Sequence, residues 1–204
     1  QAAPVLQGVT GTALILCSDT PLLEAAELAK FAEAHAKSGA AATVMTAIMA
    51  DPFGYGRILR DQNGNVAGIV EQKDATAEQQ KIQEINTGIY CVAMPLLFEI
   101  LKTLTNDNAQ GEYYLTDLLS KLNAQGKKVA GYVTADSDMV MGINSRRQLA
   151  EAESVMRQRI LNALMDSGVT IMDPASTFIE KSVRIAPDTI IYPYTWLEGS
   201  TTIA

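Results

Sequence analysis

Ile179, Ile185, Ile191, Leu197 and Ile203 stand six residues apart over the last part of the chain. An apolar side chain at every sixth position suits neither a helix, whose faces return about every 3.6 residues, nor a flat strand, whose faces alternate. It suits short strands on a three-sided parallel coil, each turning one aliphatic side chain inward at the same place on its face. Five successive hits make a chance spacing of ordinary strands a poor account.

A different pattern precedes the repeat. Leu149, Ala152, Met156, Ile160 and Ala163 fall at helical spacing with charges between them, which predicts one long amphipathic helix from Arg146 to near Gly168. Earlier still, strands and helices alternate. Val9 to Cys17 reads as a buried strand, and Thr20-Pro21 leads into a helix through Lys37 that Gly39 ends. Ala41 to Ile48 is a strand. Asp61-Gln62-Asn63-Gly64 turns a hairpin between Arg57–Arg60 and Val66–Glu71. Ile85 to Val92 is a strand, Pro95 starts a helix to about Leu104, Thr116 caps a helix through Gln125, and Lys128 to Thr134 is a further strand. Alternation of this kind predicts an α/β domain with parallel neighbours in its sheet.

Composition narrows the function. The 204 residues can bury one or two cores, and no apolar run approaches the ~18 residues of a membrane span. A net charge of −7 argues against a nucleic-acid surface. Cys17 and Cys91 lie in apolar runs, with neither disulfide nor zinc spacing, and are expected to be reduced core residues of a cytoplasmic protein. The one histidine, His35, is expected on a solvated helix face, and a Ser/His/Asp triad has no second histidine to draw on.

Several short segments have the composition of a ligand site. Asp19 follows the apolar run Leu14–Cys17, at the strand end where open α/β sheets bind ligands, although an Asp before a helix is also an ordinary cap. In Asp51-Pro52-Phe53-Gly54-Tyr55-Gly56-Arg57, two glycines let a ligand approach the backbone. Glu71 closes a strand, and Asn86, a poor strand former, opens one. Asn108 to Asp117 is a polar loop running into a helix cap. Gly142-Ile143-Asn144-Ser145 repeats the design at Asp19, a polar residue after an apolar step and before a helix.

In that order, Gly54-Tyr55-Gly56-Arg57-Ile58, Ile82-Gln83-Glu84-Ile85-Asn86-Thr87-Gly88-Ile89, Asn108 to Tyr114 and Gly142-Ile143-Asn144 resemble the motifs of the bifunctional UDP-N-acetylglucosamine pyrophosphorylase / glucosamine-1-phosphate N-acetyltransferase family, and the likeness spans essentially the whole chain. It implies a Rossmann-like nucleotide-diphospho-sugar transferase domain with a mixed, mainly parallel sheet (residues 1–145), a linker helix (146–168) and the first coils of a left-handed parallel β-helix (169–204). It also implies uridyl transfer from UTP to N-acetylglucosamine 1-phosphate, with Mg²⁺ on Asp19 and Asn144. Sugar contacts fall on Gly56 (backbone), Glu71 and Asn86, and Cys17 and Ser18 stand beside the nucleotide where the family often has Tyr-Gly. A parent of this family is a homotrimer that also acetylates glucosamine 1-phosphate from acetyl-CoA. The family's glycine-rich triphosphate loop and first strand belong before Gln1, and its acetyl-CoA site belongs to coils after Ala204. Residues 1–204 are therefore expected to be part of a longer polypeptide and inactive alone. Two alternatives are a pyrophosphorylase for another sugar 1-phosphate and a non-catalytic, nucleotidyltransferase-like regulatory subunit. The joint presence of Asp19 and Asn144 speaks for the enzyme.

Overall fold

The computed structural model describes residues 4–6, 8–108 and 110–204. They form two units, Gln1–Val140 and Met141–Ala204. Among the described residues no helix is long and apolar enough to cross a membrane.

The first unit is built on β5 (Glu84–Ala93). Along one edge it pairs antiparallel with β2 (Ala42–Ile48), and its other edge takes Arg57 of β3 (Arg57–Arg60) at Ile85 and β1 (Thr12–Ile15) at Tyr90 to Ala93. The hairpin partner of β3 is β4 (Val66–Val70), and β6 (Val129–Val133) lies parallel to β2. The sheet is thus mixed, as expected, but β2–β6 is its one parallel pair among the described residues. "Mainly parallel" is corrected: β5 runs against β1, β2 and β3, and a tight hairpin makes β3 and β4 antiparallel by construction. In that hairpin the Asp61 carboxylate accepts from the N–H groups of Asn63 (2.9 Å) and Asn65 (2.8 Å), and Gly64 takes the left-handed φ of 80° that the turn needs.

Each sheet face carries its own core. α2 (Met94–Leu101) and α3 (Asp117–Ala124) pack Leu97, Ile100, Leu118, Leu119 and Leu122 onto Val44, Tyr90 and Val92. On the opposite face Phe31 of α1 (Ala25–Ser38) joins Met45, Ala47, Ile85, Ile89 and Cys91. Gly39 ends α1 in the left-handed region, as its sequence suggests.

Two readings of buried and exposed residues are reversed. His35 is buried, with 6 % exposure, because it lies on the inward face of α1 with Glu27 and Phe31, and its Nδ1 is 2.8 Å from Thr43 Oγ1 of β2. β1 is shorter than predicted and half open, with Leu14 42 % and Leu16 46 % exposed. Among the described residues it pairs along one edge only, and it partly buries alternate side chains, Ala13 and Ile15, against the core. Cys17 beyond it is an exposed thiol rather than a core residue, whereas Cys91 is buried, which pushes its thiol up to about 11.

In the second unit α4 (Arg146–Asp166) starts at Ser145, whose hydroxyl accepts from the Gln148 N–H. Six two-residue strands follow: β7 (Thr170–Ile171), β8 (Phe178–Ile179), β9 (Arg184–Ile185), β10 (Ile190–Ile191), β11 (Trp196–Leu197) and β12 (Thr202–Ile203). β10 lies parallel on β7, β11 on β8 and β12 on β9, so the chain turns through three faces per coil. The six-residue repeat supplies the interior: Ile179 and Ile191 are buried, and Ile185, Leu197 and Ile203 pack against them. Leu161 of α4 is fully buried in the same cluster, so the helix covers apolar surface that the coils would otherwise expose.

Candidate functional site

Between Ile85 and Tyr90 the outer edge of β5 carries neither β3 nor β1. The strand is also irregular there. Val44 of β2 pairs with Tyr90 and Thr46 with Asn86, so three residues of β5 face the single Met45. Such a bulge leaves ladder groups unpaired and re-aims side chains. Thr87 compensates by donating its hydroxyl to the Met45 carbonyl at 2.8 Å. Gly88 takes φ +77°, and its N–H donates to Asn86 Oδ1 at 3.0 Å. Asn86 therefore has a local reason to be Asn, the turn within the bulge.

Around the bulge the structure gathers most of the sequence-predicted site residues of the first unit. The Asn86 N–H donates to the Gly56 carbonyl at 2.8 Å, which ties the Gly54–Gly56 loop to β5. A Cβ on Gly56 would stand 3.0 Å from Ile69 Cγ2 and 3.4 Å from both Glu71 carboxylate oxygens. Glu71 is thus set directly against the Gly56 backbone. Burial pushes its carboxyl up, the Thr116 hydroxyl bond opposes this, and the charges of Asp74 and Asp117 add to the rise. On the other side of the bulge, Cys17 Sγ lies 3.5 Å from the Gly88 carbonyl. Although the residue is exposed, its sulfur is partly withdrawn from water against Gly88, and this, followed by the charge of Asp19, pushes its thiol up. Ser18 and Asp19 are exposed in the turn after β1, which the Thr20 hydroxyl closes onto the Cys17 carbonyl at 3.1 Å. α1 begins only at Ala25, so Asp19 does not cap it.

Four further residues support this arrangement, in roles the sequence reading missed. Thr116 stands at the start of α3, but its hydroxyl donates to Glu71 Oε1 at 3.2 Å instead of capping the helix. Its position before an apolar helical run looked like a plain cap. Gln72 Oε1 accepts from Arg57 Nη2 at 2.7 Å and from the Gly54 N–H at 3.2 Å, while Arg57 Nη1 donates to the Tyr55 carbonyl. The guanidinium of Arg57, 2 % exposed, thereby holds the glycine loop from beneath. Tyr90, also in the core, reaches the bulge with its hydroxyl, 2.9 Å from Asn86 Oδ1. The loop from Asn108 to Tyr114 closes on itself through Asn108 Oδ1, which accepts from the Gln110 and Glu112 N–H groups. It meets the turn after β4 through Lys73, which donates to Gln110 Oε1 at 3.0 Å.

Asn144 belongs to the second unit, just before α4, where its backbone N–H donates to Gln148 Oε1 at 2.8 Å. Among the described residues, no three His, Cys, Asp or Glu side chains form a metal-holding group. The site's chemistry is that of hydrogen-bond donors and acceptors around an open backbone stretch, with one carboxylate partly withdrawn from water (Glu71) and one fully in it (Asp19).

The model of the nucleotidyl transferase family matches residues 1–171. The bifunctional protein GlmU of Pelotomaculum thermopropionicum is 54 % identical over 195 residues, which are 96 % of this chain and 43 % of that protein. That of Geobacillus thermodenitrificans is 50 % identical over 203 residues, 100 % of this chain and 44 % of that protein. The chain therefore spans less than half the length of these curated relatives. Among solved structures, apo UDP-glucose pyrophosphorylase superposes with a TM-score of 0.57 at 18 % identity, over 78 % of this chain and 57 % of that one, a likeness of fold.

Proposed function

Because the chain belongs to the nucleotidyl transferase family, we propose that it carries the sugar side of a site that joins UTP to N-acetylglucosamine 1-phosphate, releasing pyrophosphate and UDP-N-acetylglucosamine. The observation that carries this reading is the Gly56–Glu71–Asn86 cluster. The Glu71 carboxylate lies against the side-chain-free backbone of Gly56, and the Asn86 backbone N–H is bonded to the Gly56 carbonyl, so a carboxylate acceptor and an amide-bearing residue meet at one glycine, a combination that complements a hydroxylated ring bearing an acetamido group. Gly56 can offer its N–H to the acetamido carbonyl where any side chain would obstruct it.

In this reaction a phosphate oxygen of the sugar attacks the α-phosphorus of UTP, and the bond to the β-phosphate breaks. Such a transfer needs alignment and charge neutralisation more than a protein nucleophile. The residues agree with that demand. The Cys17 thiol is pushed up and stays protonated at neutral pH, and His35 is buried against Thr43. Asp19 and Asn144 are the proposed Mg²⁺ ligands. A carboxylate and an amide oxygen are hard donors of the kind Mg²⁺ takes while keeping several waters, and Asp19 is exposed to solvent. Bound there, the ion would neutralise phosphate charge. Glu71 and Asn86 hold the sugar, and the Arg57–Gln72 clamp keeps the glycine loop in place. For the whole protein, the coil unit and the relatives' description as bifunctional support a second activity, acetyl-CoA-dependent acetylation of glucosamine 1-phosphate, in a cytoplasmic homotrimer.

Gly56→Ala in the full-length protein tests the reading. Its Cβ would press on Ile69 and both Glu71 oxygens. The KM for N-acetylglucosamine 1-phosphate should rise about tenfold, equivalent to ~1.4 kcal/mol, with the KM for UTP little changed. A raised KM for UTP with an unchanged KM for the sugar phosphate would move the sugar elsewhere.

A further inference from the structure

We propose that Tyr90 is a positioning residue: together with the Gly88 N–H, its hydroxyl locks the Asn86 side chain with its NH₂ turned outward, so that the ligand must present an acceptor oxygen at that point. The inference rests on the sugar-site reading above and adds which way its central amide points, what holds it, and what it selects.

The orientation follows from donors that have no choice. A backbone N–H can only donate, so the Asn86 atom 3.0 Å from the Gly88 nitrogen is the carbonyl oxygen. The Tyr90 hydroxyl, 2.9 Å from the same oxygen, then acts as donor. With two donors, Oδ1 is saturated. A flipped amide would set its NH₂ against the Gly88 N–H, donor against donor. Among the described residues Nδ2 has no hydrogen-bond partner, nor is it a buried orphan, so its two hydrogens are available to whatever enters the site. Asn86 could otherwise serve as donor or acceptor. Held this way it is a donor only, and Glu71 across the Gly56 backbone is an acceptor only while ionised. The pair therefore reads two different faces of a polyhydroxylated ligand.

Tyr90 is suited to this role because the rest of it is immobile. Its ring is 2 % exposed, among Val44, Val92 and Leu97. It lies beyond the bulge that turns Asn86 outward, and Val44 pairs with it in the regular ladder. The positioning hydroxyl thus hangs from the core rather than from the loop it organises. Burial also pushes the phenol well above its ordinary value, so it remains a donor throughout the working pH range.

Four full-length proteins test this, Tyr90→Phe, Asn86→Ala, Asn86→Asp and the Tyr90→Phe/Asn86→Ala double variant, with N-acetylglucosamine 1-phosphate and UTP as substrates. Losing one hydrogen bond to an oriented group should raise the KM for the sugar phosphate about 2- to 10-fold in Tyr90→Phe, with kcat and the KM for UTP nearly unchanged. In the Asn86→Ala background Tyr90→Phe should add nothing, because nothing remains to orient. Asn86→Asp keeps the inner acceptor but offers no outward N–H, and should use the sugar phosphate as poorly as Asn86→Ala. An undiminished Tyr90→Phe effect in the Asn86→Ala background, or wild-type use of the sugar phosphate by Asn86→Asp beside an impaired Asn86→Ala, overturns the proposal while leaving the sugar site standing. A wild-type-like Tyr90→Phe beside an impaired Asn86→Ala does the same. Wild-type sugar KM in both Asn86 variants overturns the sugar-site reading, and this proposal with it.

Discussion

Replacing Gly88 by Ala should damage the bulge by two separable routes. The first is conformational. Gly88 sits at φ +77°, where an L-residue costs about 1–2 kcal/mol. The second is steric. A Cβ there would stand 2.5 Å from Cys17 Sγ, well inside the ~3.5–4.0 Å of favourable contact. The thiol is the free end of an exposed side chain and can rotate away, which costs about 0.5–1.5 kcal/mol. Gly88→Ala should therefore destabilise the full-length protein by about 1.5–3.5 kcal/mol. Cys17→Ala alone removes an exposed side chain with one long sulfur contact and should cost no more than ~0.5 kcal/mol. In that background Gly88→Ala should cost only the conformational part, leaving a coupling of about 0.5–1.5 kcal/mol between the sites. Urea unfolding of the four proteins followed by circular dichroism, compared at constant slope, gives these differences. An equal cost of Gly88→Ala with and without Cys17 would refute the contact and leave backbone strain alone.

Four further outcomes follow from other parts of the molecule. Burial holds the His35 pKa below its ordinary 6.5, so near that pH the folded protein binds fewer protons than the unfolded chain. Stability should be full above pH 6.5 and fall as pH drops from there towards the folded-state value, and His35→Gln should flatten this slope in pH-dependent melts. Burial raises the Glu71 carboxyl, so the KM for the sugar phosphate should begin to rise on the acid side at a pH above the ordinary 4.5; Glu71→Gln should abolish that limb, and its persistence would exclude Glu71. Asp19→Ala should lower uridyl transfer by orders of magnitude without changing the unfolding midpoint, and near-normal turnover would remove Asp19 from the metal side. Ile191→Ala should cost ~2–5 kcal/mol in the second unit, while Ile190→Ala, at a 54 % exposed neighbour, should cost little.

Local rules made much of the fold legible. Gly39 ends α1, Asp61 to Gly64 turns the hairpin, and the six-residue aliphatic repeat packs inward, because each depends on neighbours in sequence. Errors arose where a residue's partner is distant. His35 is buried by a strand that pairs with β5, Thr116 gives its hydroxyl to Glu71, and Leu14 is exposed because, among the described residues, β1 pairs only with β5. Asn86, Glu71 and Gly56 could be singled out for being unusual residues at strand ends. Tyr90 could not, since a tyrosine in an apolar strand looks like ordinary core, and only its hydroxyl, 2.9 Å from Asn86 Oδ1, distinguishes it.

The coil imposes its own arithmetic on length change. Phe178 pairs with Trp196 and Arg184 with Thr202, both 18 positions on, whereas Thr170 pairs with Ile190, 20 positions on. The two surplus residues are taken up in the short 3-10 turn Pro174–Ser176, on the corner between β7 and β8, so the strands keep their alignment. A corner can thus absorb small, irregular insertions. An insertion of one whole six-residue step inside the coil would act differently. Every inward aliphatic side chain would still find its place, and the core would register no fault. Everything beyond the insertion, however, would be rotated by a third of a turn about the coil axis. In such an element an insertion can be silent in a melting curve and still redirect every outward-facing residue that follows it.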